Sequence, residues 1–494
     1  MRREELNTIA SKPHRLHPLW ILFSIGELIK ELIIPIVIYL INLGSESLLM
    51  TIGKIGVILF VVFRMTSILF EWWNFHYFFY NNELRVQNGR FMKKKRFIPL
   101  DRIQGVQINS NFLHRFFGLT SITIDTAATE GDSSVKLVLI KRSEALRIQE
   151  YVAQKPPVPN QPAEKETLVE ADNLQPSDCK EIKYRVSGKE IIHASLTSFS
   201  FAAVIPILVG LLFKINEILS LEKYFDNALK FVQSAWTWMI VFGIALFFVS
   251  VVFGMVLTYL RFGRYIVQTD AERIYIQKGV LNQSEWMIEK RRVQAVKFKK
   301  SFIRRLFGIV EVELVCAGAF GDEAVESNLL FPFISEKKAL QLLPDIVPAF
   351  KVSENMNKLP QSALWVKCLR PSYFWIVVTA VLVYIWPDKW YFSILLLAII
   401  MCLRILNFYN SRFSVDDRFI QMSSGSFSSE MFVTTKQKIE QLSVTESWLQ
   451  RKAGLATLDI ATRGTPIHHA EIADIPKEAA VRYYLWYGNR AKAN

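Results

Sequence analysis

The chain has little of what enzymes are built from. Its four cysteines, Cys179, Cys316, Cys368 and Cys402, lie far apart without a C-x-x-C pair, so they do not supply the clustered ligands a zinc site needs. The seven histidines include no H-E-x-x-H, and His468-His469 is an isolated pair in a late loop. A P-loop, a G-x-S-x-G, a glycine-rich dinucleotide turn and a metal-ligand cluster are all missing. No catalytic residue, metal or cofactor is therefore expected. The opening MRREELNTIASKPHRLHPLW is basic but lacks the short apolar core and small-residue cleavage site of a signal peptide, and it reads as a cytoplasmic tail over residues 1–19.

Acid is scarce beside base: 45 Asp and Glu against 59 Lys and Arg, a net charge of +14. Hydrophobic residues make up 51% of the 494 and mean hydropathy is +0.21, too apolar for an ordinary soluble protein. The excess falls in blocks. Trp20–Leu43 and Leu48–Phe70 are joined by the turn Gly44-Ser45-Glu46-Ser47, and each is long enough to cross about 30 Å of hydrocarbon as a helix. A second pair runs Ile191–Phe213 and Ala235–Leu260, and a third Ser372–Trp386 and Trp390–Leu406, its first leg short for a full span. Six transmembrane helices in three hairpins follow. The hairpin turns hold only Lys214, Lys223, Lys230 and Lys389, whereas the segments between hairpins are rich in Lys and Arg. The positive-inside rule then places those segments in the cytoplasm of a multi-pass cell-membrane protein.

One stretch occurs three times: IPLDRIQGVQINSNFLHRFFGL at 98–119, IEKRRVQAVKFKKSFIRRLFGI at 288–309 and the weaker TTKQKIEQLSVTESWLQRKAGL at 434–455. Each copy follows one glycine and closes on another 29 residues later: Gly89 and Gly118, Gly279 and Gly308, Gly425 and Gly454. In the same register fall Arg102, Arg292 and Lys438, then Gln104, Gln294 and Glu440, then Arg115, Arg305 and Arg451. The copies are offset by 190 and 146 residues, too far apart for a solenoid. Around the first copy, short strands are expected at Phe75–Tyr80, Leu84–Gln87, Phe97–Ile108, Ser121–Asp125 and Val135–Ile140. Ile122 and Ile124 alternate with Thr, and Val310, Val312 and Leu314 with Glu, the pattern of half-buried strands. A helix at Arg142–Ala153 closes the domain, with Ala145, Leu146, Ile148 and Val152 as its apolar positions; Lys477–Tyr487 closes the third.

The predicted organisation is α+β: hairpin 20–73 and domain 74–153, a flexible Pro-rich linker 154–182, hairpin 183–260 and domain 261–350, a linker 351–371, hairpin 372–409 and domain 410–488. Several strands closed by one helix in such a short span fit a small barrel of the pleckstrin-homology (PH) type. The motif I-x-L-x-R-I-Q-x-V followed by N-x-L-x-R-x-F-G-L resembles the bacterial PH-like domain found beside paired membrane spans, and the resemblance covers nearly the whole chain. The third copy departs from it, with Lys436-Gln437-Lys438 in place of Leu100-Asp101-Arg102 and Lys452-Ala453 in place of the aromatic pair. The resemblance implies a hetero-oligomeric membrane complex with a smaller relative carrying one PH-like domain. It also implies a link to protection against bacteriocins that permeabilise membranes, and it carries no catalytic residues.

Two sets of residues carry the remaining chemistry. Lys93, Lys94, Lys95 and Arg96 in the first domain, and Lys290, Arg291, Arg292, Lys297, Lys299, Lys300, Arg304 and Arg305 in the second, form basic runs; the second run has no acid within it. Each such cation near an anionic leaflet contributes about 1 kcal/mol, so these residues can dock a domain on lipid head groups or a partner, or simply be a solvated face. The paired aromatics do not form a base-stacking platform, and nucleic acid is not expected. The repeated cations at the Arg102 and Arg115 positions either pair locally with an acid or helix-end carbonyl, or bind phosphate. Within the spans, Glu27, Lys30, Glu31, Lys54, Arg64 and Arg404 interrupt apolar sequence. Glu27 pairing with Lys30 or Arg64 satisfies them locally, and Lys54 can snorkel. The other reading is a polar seam for helix assembly or solute passage. The expected function is a non-enzymatic membrane protein whose PH-like modules bind partners or anionic lipid, with homo-oligomerisation open; the alternative is a transporter or lipid-translocating protein using the first hairpin.

Overall fold

The computed structural model describes residues 13–41, 48–153, 181–197, 210 and 236–488, less 81, 91, 127–133, 318–327, 354, 417, 465 and 466. The first part of the tail, the turn of the first hairpin, the Pro-rich linker up to residue 180 and most of the first leg of the second hairpin lie outside the described residues. Two compact units result, Met1–Ser177 with Asn282–Met287, and Asp178–Leu281 with Ile288–Asn494.

In the first unit the apolar runs form helices Leu19–Ile41 and Leu48–Asn74. Strands β1 (His76–Tyr80), β2 (Glu83–Asn88) and β3 (Lys94–Pro99) follow as an antiparallel sheet in that order. The strand expected at Phe97–Ile108 is two strands. Pro99 leads into a 3-10 turn at Leu100–Arg102, and the chain re-enters a different sheet as β4 (Ile103–Ser110). A short helix Phe112–Phe116 then leads to β5 (Leu119–Thr126) and β6 (Ser134–Lys141). Thr120 and Thr123 of β5 are buried with the isoleucines, contrary to the half-buried expectation. The Thr120 hydroxyl is satisfied by the Asn109 carbonyl at 2.9 Å and by Ser110 Oγ at 2.7 Å. The closing helix Arg142–Ala153 buries Ala145, Ile148 and Val152 but leaves Leu146 exposed.

In the second unit β7 (Glu181–Arg185) and helix Gly188–Thr197 precede the apolar helix Trp236–Phe262, β8 (Ile266–Thr269) and β9 (Arg273–Lys278). The next strand, β10 (Gln283–Glu289), groups with the first unit as far as Met287 and follows β4 there in the sheet order. Then come β11 (Val293–Lys300), β12 (Ile309–Cys316), β13 (Leu329–Ser335) and helix Glu336–Ile346. β12 shows the expected alternation, with Val310, Val312 and Leu314 buried and Glu311 and Glu313 half-exposed. The third module contributes β14 (Asn357–Lys358), β15 (Arg412–Val415), β16 (Phe419–Ser424), β17 (Ser429–Thr435), β18 (Ile439–Thr445), β19 (Leu455–Thr462) and β20 (His468–Pro476), with helix Lys477–Gly488 closing it.

Strand pairing does not respect the module boundaries expected from sequence. One seven-stranded sheet runs β13-β12-β11-β17-β16-β15-β14, so the second half of module two and the first half of module three share a sheet. The joint is antiparallel β11 to β17, with Ala295 opposite Thr434 and Lys299 opposite Glu430. Ala295 accordingly belongs to the core of the third module, beside Ile420, Met422 and Phe432. The linker expected at 351–371 is also folded: helix Gln361–Leu369 buries Ala363 and Val366 in that same core and runs on, through a short break, to helix Tyr373–Ile385. Among the described residues, Ile55–Asn74, Gln361–Ile385 and Pro387–Asn410 are long and apolar enough to cross a membrane, with a shorter apolar helix at Phe247–Phe262.

Candidate functional site

The recurring residues build two corners of each module. All six repeat glycines have positive φ, and at Gly425 a Cβ would stand 2.0 Å from the Ser428 carbonyl oxygen, so no other residue fits without strain. At the first corner a 3-10 turn, Leu100–Arg102, Lys290–Arg292 or Lys436–Lys438, ends on the repeated cation. Two positions on, Gln294 Nε2 donates to the Arg292 carbonyl at 3.0 Å, while Glu440 is exposed, 3.8 Å from Arg463. Gln104 lies in β4; its side chain is outside the described residues. Arg102 is exposed.

At the second corner Gly118, Gly308 and Gly454 sit near φ of 65°, 64° and 68° and stop a short helix. Each glycine donates its N–H to the carbonyl of the repeated arginine, Arg115, Arg305 or Arg451, at 3.0, 3.2 and 3.4 Å. Each glycine carbonyl then accepts from the first residue of the closing helix, Arg142, Glu336 or Lys477. Much of what the sequence repeats at this corner is thus backbone wiring. The side chains differ: Arg305 donates to Asn410 Oδ1 at 2.7 Å, and Arg451 lies 4.0 Å from Glu446.

The two basic runs are placed unlike one another. Lys93, Lys94 and Lys95 are exposed and Arg96 is half-buried. In the second module the sheet brings acids onto the cations. Arg291 and Arg292 both meet Glu289, at 2.8 and 3.0 Å; Lys297 meets Glu430 at 3.2 Å; Lys299 meets Glu313 at 2.7 Å; Lys300 meets Glu336 at 2.5 Å; Arg304 meets Glu311. Burial by itself would raise the Glu289 carboxyl, but the hydrogen bonds and charges of the two arginines outweigh it and hold it below its usual range. Lys290 is half-buried and Lys438 donates to the Arg291 carbonyl at 2.6 Å.

In the first hairpin Arg64 Nη2 donates to both Glu31 oxygens, at 2.9 and 3.0 Å. This replaces the expected partner Glu27, which lies one turn nearer the helix start and is exposed, as is Lys30. Lys54 lies in helix Leu48–Asn74, its side chain outside the described residues. Arg404 donates to the carbonyls of Cys368 and Arg370, at 3.0 and 2.5 Å. It lines a cavity of about 390 Å³ with Lys367, Arg370, Asn407, Ser411 and Asp474. Here Lys367 donates to Asn407 and Ser411, and Arg370 meets the fully buried Asp474 at 3.1 Å. Polar groups therefore stitch the third helix pair to its module. Sequence reasoning named only Arg404; Lys367 and Arg370 sat in what read as a linker, and their place one turn apart before an apolar run was the available signal. No three His, Cys, Asp or Glu side chains converge on a metal site among the described residues.

Sequence reasoning also missed how each module holds the segment that precedes its helices. His14 and Tyr77 exchange backbone hydrogen bonds at 2.9 and 3.0 Å, and Trp72 Nε1 donates to the Leu16 carbonyl. β7 pairs with β8, with Val186 N donating to Tyr265 O, and β14 pairs with β15 through Asn357 with Phe413. In all three modules the strand after the helices is thus clasped by the residues before them.

Comparison with known proteins gives three findings. The family model described as bacterial PH domain matches residues 33–156, 207–346 and 363–491. The UPF0699 transmembrane protein YdbT of Bacillus subtilis (strain 168) is 27% identical over 490 residues, 97% of this chain and 98% of that one. No solved structure matches.

Proposed function

The chain belongs to the bacterial PH domain family, and from that premise we propose a non-enzymatic, multi-pass membrane protein whose PH-like modules assemble a complex at the cytoplasmic face. The observation that carries this reading is the threefold clasp. Residues before each helix pair hydrogen-bond to residues after it, at His14 with Tyr77, β7 with β8 and β14 with β15. Such flanks lie on one side of a membrane, as they do when the intervening apolar sequence crosses it twice. The reading assigns two crossings to each pair, six in all, and a common face to the three modules; the scarcity of Lys and Arg in the hairpin turns supports the cytoplasmic one. Support for the membrane itself comes from the three long apolar helices and from the relative's description as a transmembrane protein.

Protein partners fit the modules better than a lipid surface does. Six of the eight cations in the second module's basic run are already paired with glutamates, and such pairs leave little field for head groups. Lys93, Lys94 and Lys95 are exposed, and this edge is the one proposed to meet an acidic partner or anionic lipid. The partners proposed are a smaller membrane protein with one PH-like domain and further copies of this chain, and the proposed physiological result is protection of the envelope against membrane-active peptides. The test is a mild-detergent pull-down of the tagged full chain, with mass spectrometry of what co-purifies. Stoichiometric co-purification of a membrane protein, or recovery as an oligomer, is expected. A clean monomer would overturn the reading.

A further inference from the structure

The joint between modules two and three has matching halves left over at the ends of the chain. β11 and β18 are the same strand in successive repeats, offset by 146 residues; β3 and β17 are likewise equivalent, offset by 336. β11 has β17 beside it, and in the first unit β4 has β10 beside it. β18 and β3 instead stand as end strands of three-stranded sheets.

Burial separates both end strands from their counterparts. Ala295 of β11 is 0% exposed, whereas Gln441, its counterpart in β18, is exposed. Phe97 of β3 is 56% exposed, whereas its counterparts Met287 in β10 and Val433 in β17 are 3% and 0% exposed. Lysines on an end strand can serve simply to keep other strands away. A strand kept apart in that way has no reason to present a phenylalanine where its counterparts are core.

We propose that β18 of one copy of this chain pairs antiparallel with β3 of a second copy, head to tail, in the register of β11 with β17. Transferring that register sets Gln441 opposite Ile98, Ser443 opposite Arg96 and Thr445 opposite Lys94. Three features favour this occupant. The edges differ in charge: Lys93, Lys94, Lys95 and Arg96 lie on or just before β3, whereas β18 carries Glu440 and no base, with Glu446 one residue beyond its end and opposite Lys93 in this register. A β3–β3 contact would set two basic edges side by side, so the contact is heterologous. The charge pattern is also inverted relative to the internal joint, where β11 supplies Lys297, Lys299 and Lys300 and β17 supplies Glu430, so the ends do not compete with it. Two local details agree. Pro99, which has no N–H to donate, is the counterpart of Thr435, one residue beyond the last paired position of β17. Tyr487 donates to the carbonyls of Ile439 and Glu440, just ahead of the residues whose counterparts are paired in β11.

The inference rests on the assembly reading above and specifies its contact. To test it, two differently tagged full-length chains with their native cysteines replaced are co-expressed, one carrying Lys94→Cys and the other Thr445→Cys, and oxidised in the membrane. A mixed-tag disulfide dimer is expected, with none from Lys94→Cys beside Glu471→Cys on β20. In parallel, a Lys93→Glu, Lys94→Glu, Lys95→Glu chain should co-purify with tagged wild type about tenfold less than wild type does, since this register sets position 93 opposite Glu446 and like charges opposite one another destabilise strand pairs. Mixed-tag product no greater than the Glu471→Cys control, together with undiminished co-purification of the charge-reversed chain, overturns the edge pairing. If wild type in nanodiscs is then still larger than one chain, the assembly reading stands without it; if it is a single chain, both fall.

Discussion

The run Lys93–Arg96 in the first module and the eight cations from Lys290 to Arg305 in the second are both dense in positive charge and free of acid in the sequence, yet the fold uses them differently. The second run is spread over a turn, a strand and a short helix, and acids reach it from β10, β12, β17 and helix Glu336–Ile346. The first run lies on an end strand, and three of its four residues are exposed. Charge density in a sequence therefore says little about the field at a surface until strand pairing is known. Glu430, 133 residues after Lys297, meets it only because β17 lies beside β11.

The sharpest way to break this comparison is at the joint itself. Phe432→Ala removes a ring that is 3% exposed and should cost about 3–5 kcal/mol. Phe97→Ala on the exposed end strand should cost no more than about 0.5 kcal/mol in the dissociated single chain. Thermal unfolding of the detergent-solubilised full chain compares the two, and equal losses would mean that β3 is covered within one chain. A smaller effect is expected at the ion pairs. Glu313→Ala leaves half-buried Lys299 without its carboxylate and should cost about 1 kcal/mol, discounted for partial exposure, whereas Lys95→Ala should leave the melting temperature unchanged.

Acid should separate the modules most subtly. His468 in the third module, stacked on Phe432, is pushed down from 6.5 to about 4, first by burial and then by the charge of Lys297. The folded chain keeps this imidazole neutral while the unfolded chain protonates it. The stability it contributes is thus full above pH 6.5 and is lost as pH falls to about 4. Glu289 in the second module, held below its ordinary 4.5, contributes stability that is lost only at still lower pH. Proteolysis across this pH range should open the third module before the second, and His468→Asn should abolish the first step.

Much of the architecture was legible. The glycine register predicted a repeated module, and the six positive φ values are its physical basis. The apolar runs gave the helices to within a few residues, and the apolar spacing of Arg142–Ala153 gave the closing helix. What was hidden was non-local. Nothing in β11 or β17 alone announces that they are partners, because strand pairing across 128 intervening residues leaves only a hydrophobic alternation that many partners would satisfy. The clasp by β7 and β14 was hidden for a related reason: a five-residue and a two-residue strand are too short to show a period. Arg64 was read against Glu27 and meets Glu31, since depth along a helix constrains a partner only to within a turn.

The central claim is that the modules hold this membrane protein in a complex. Its most direct test is the mass of the assembly extracted from the native membrane in polymer nanodiscs and weighed by native mass spectrometry. The account predicts at least one further protein chain, a second copy or a partner, in every particle. A single chain accompanied by lipid alone would contradict it.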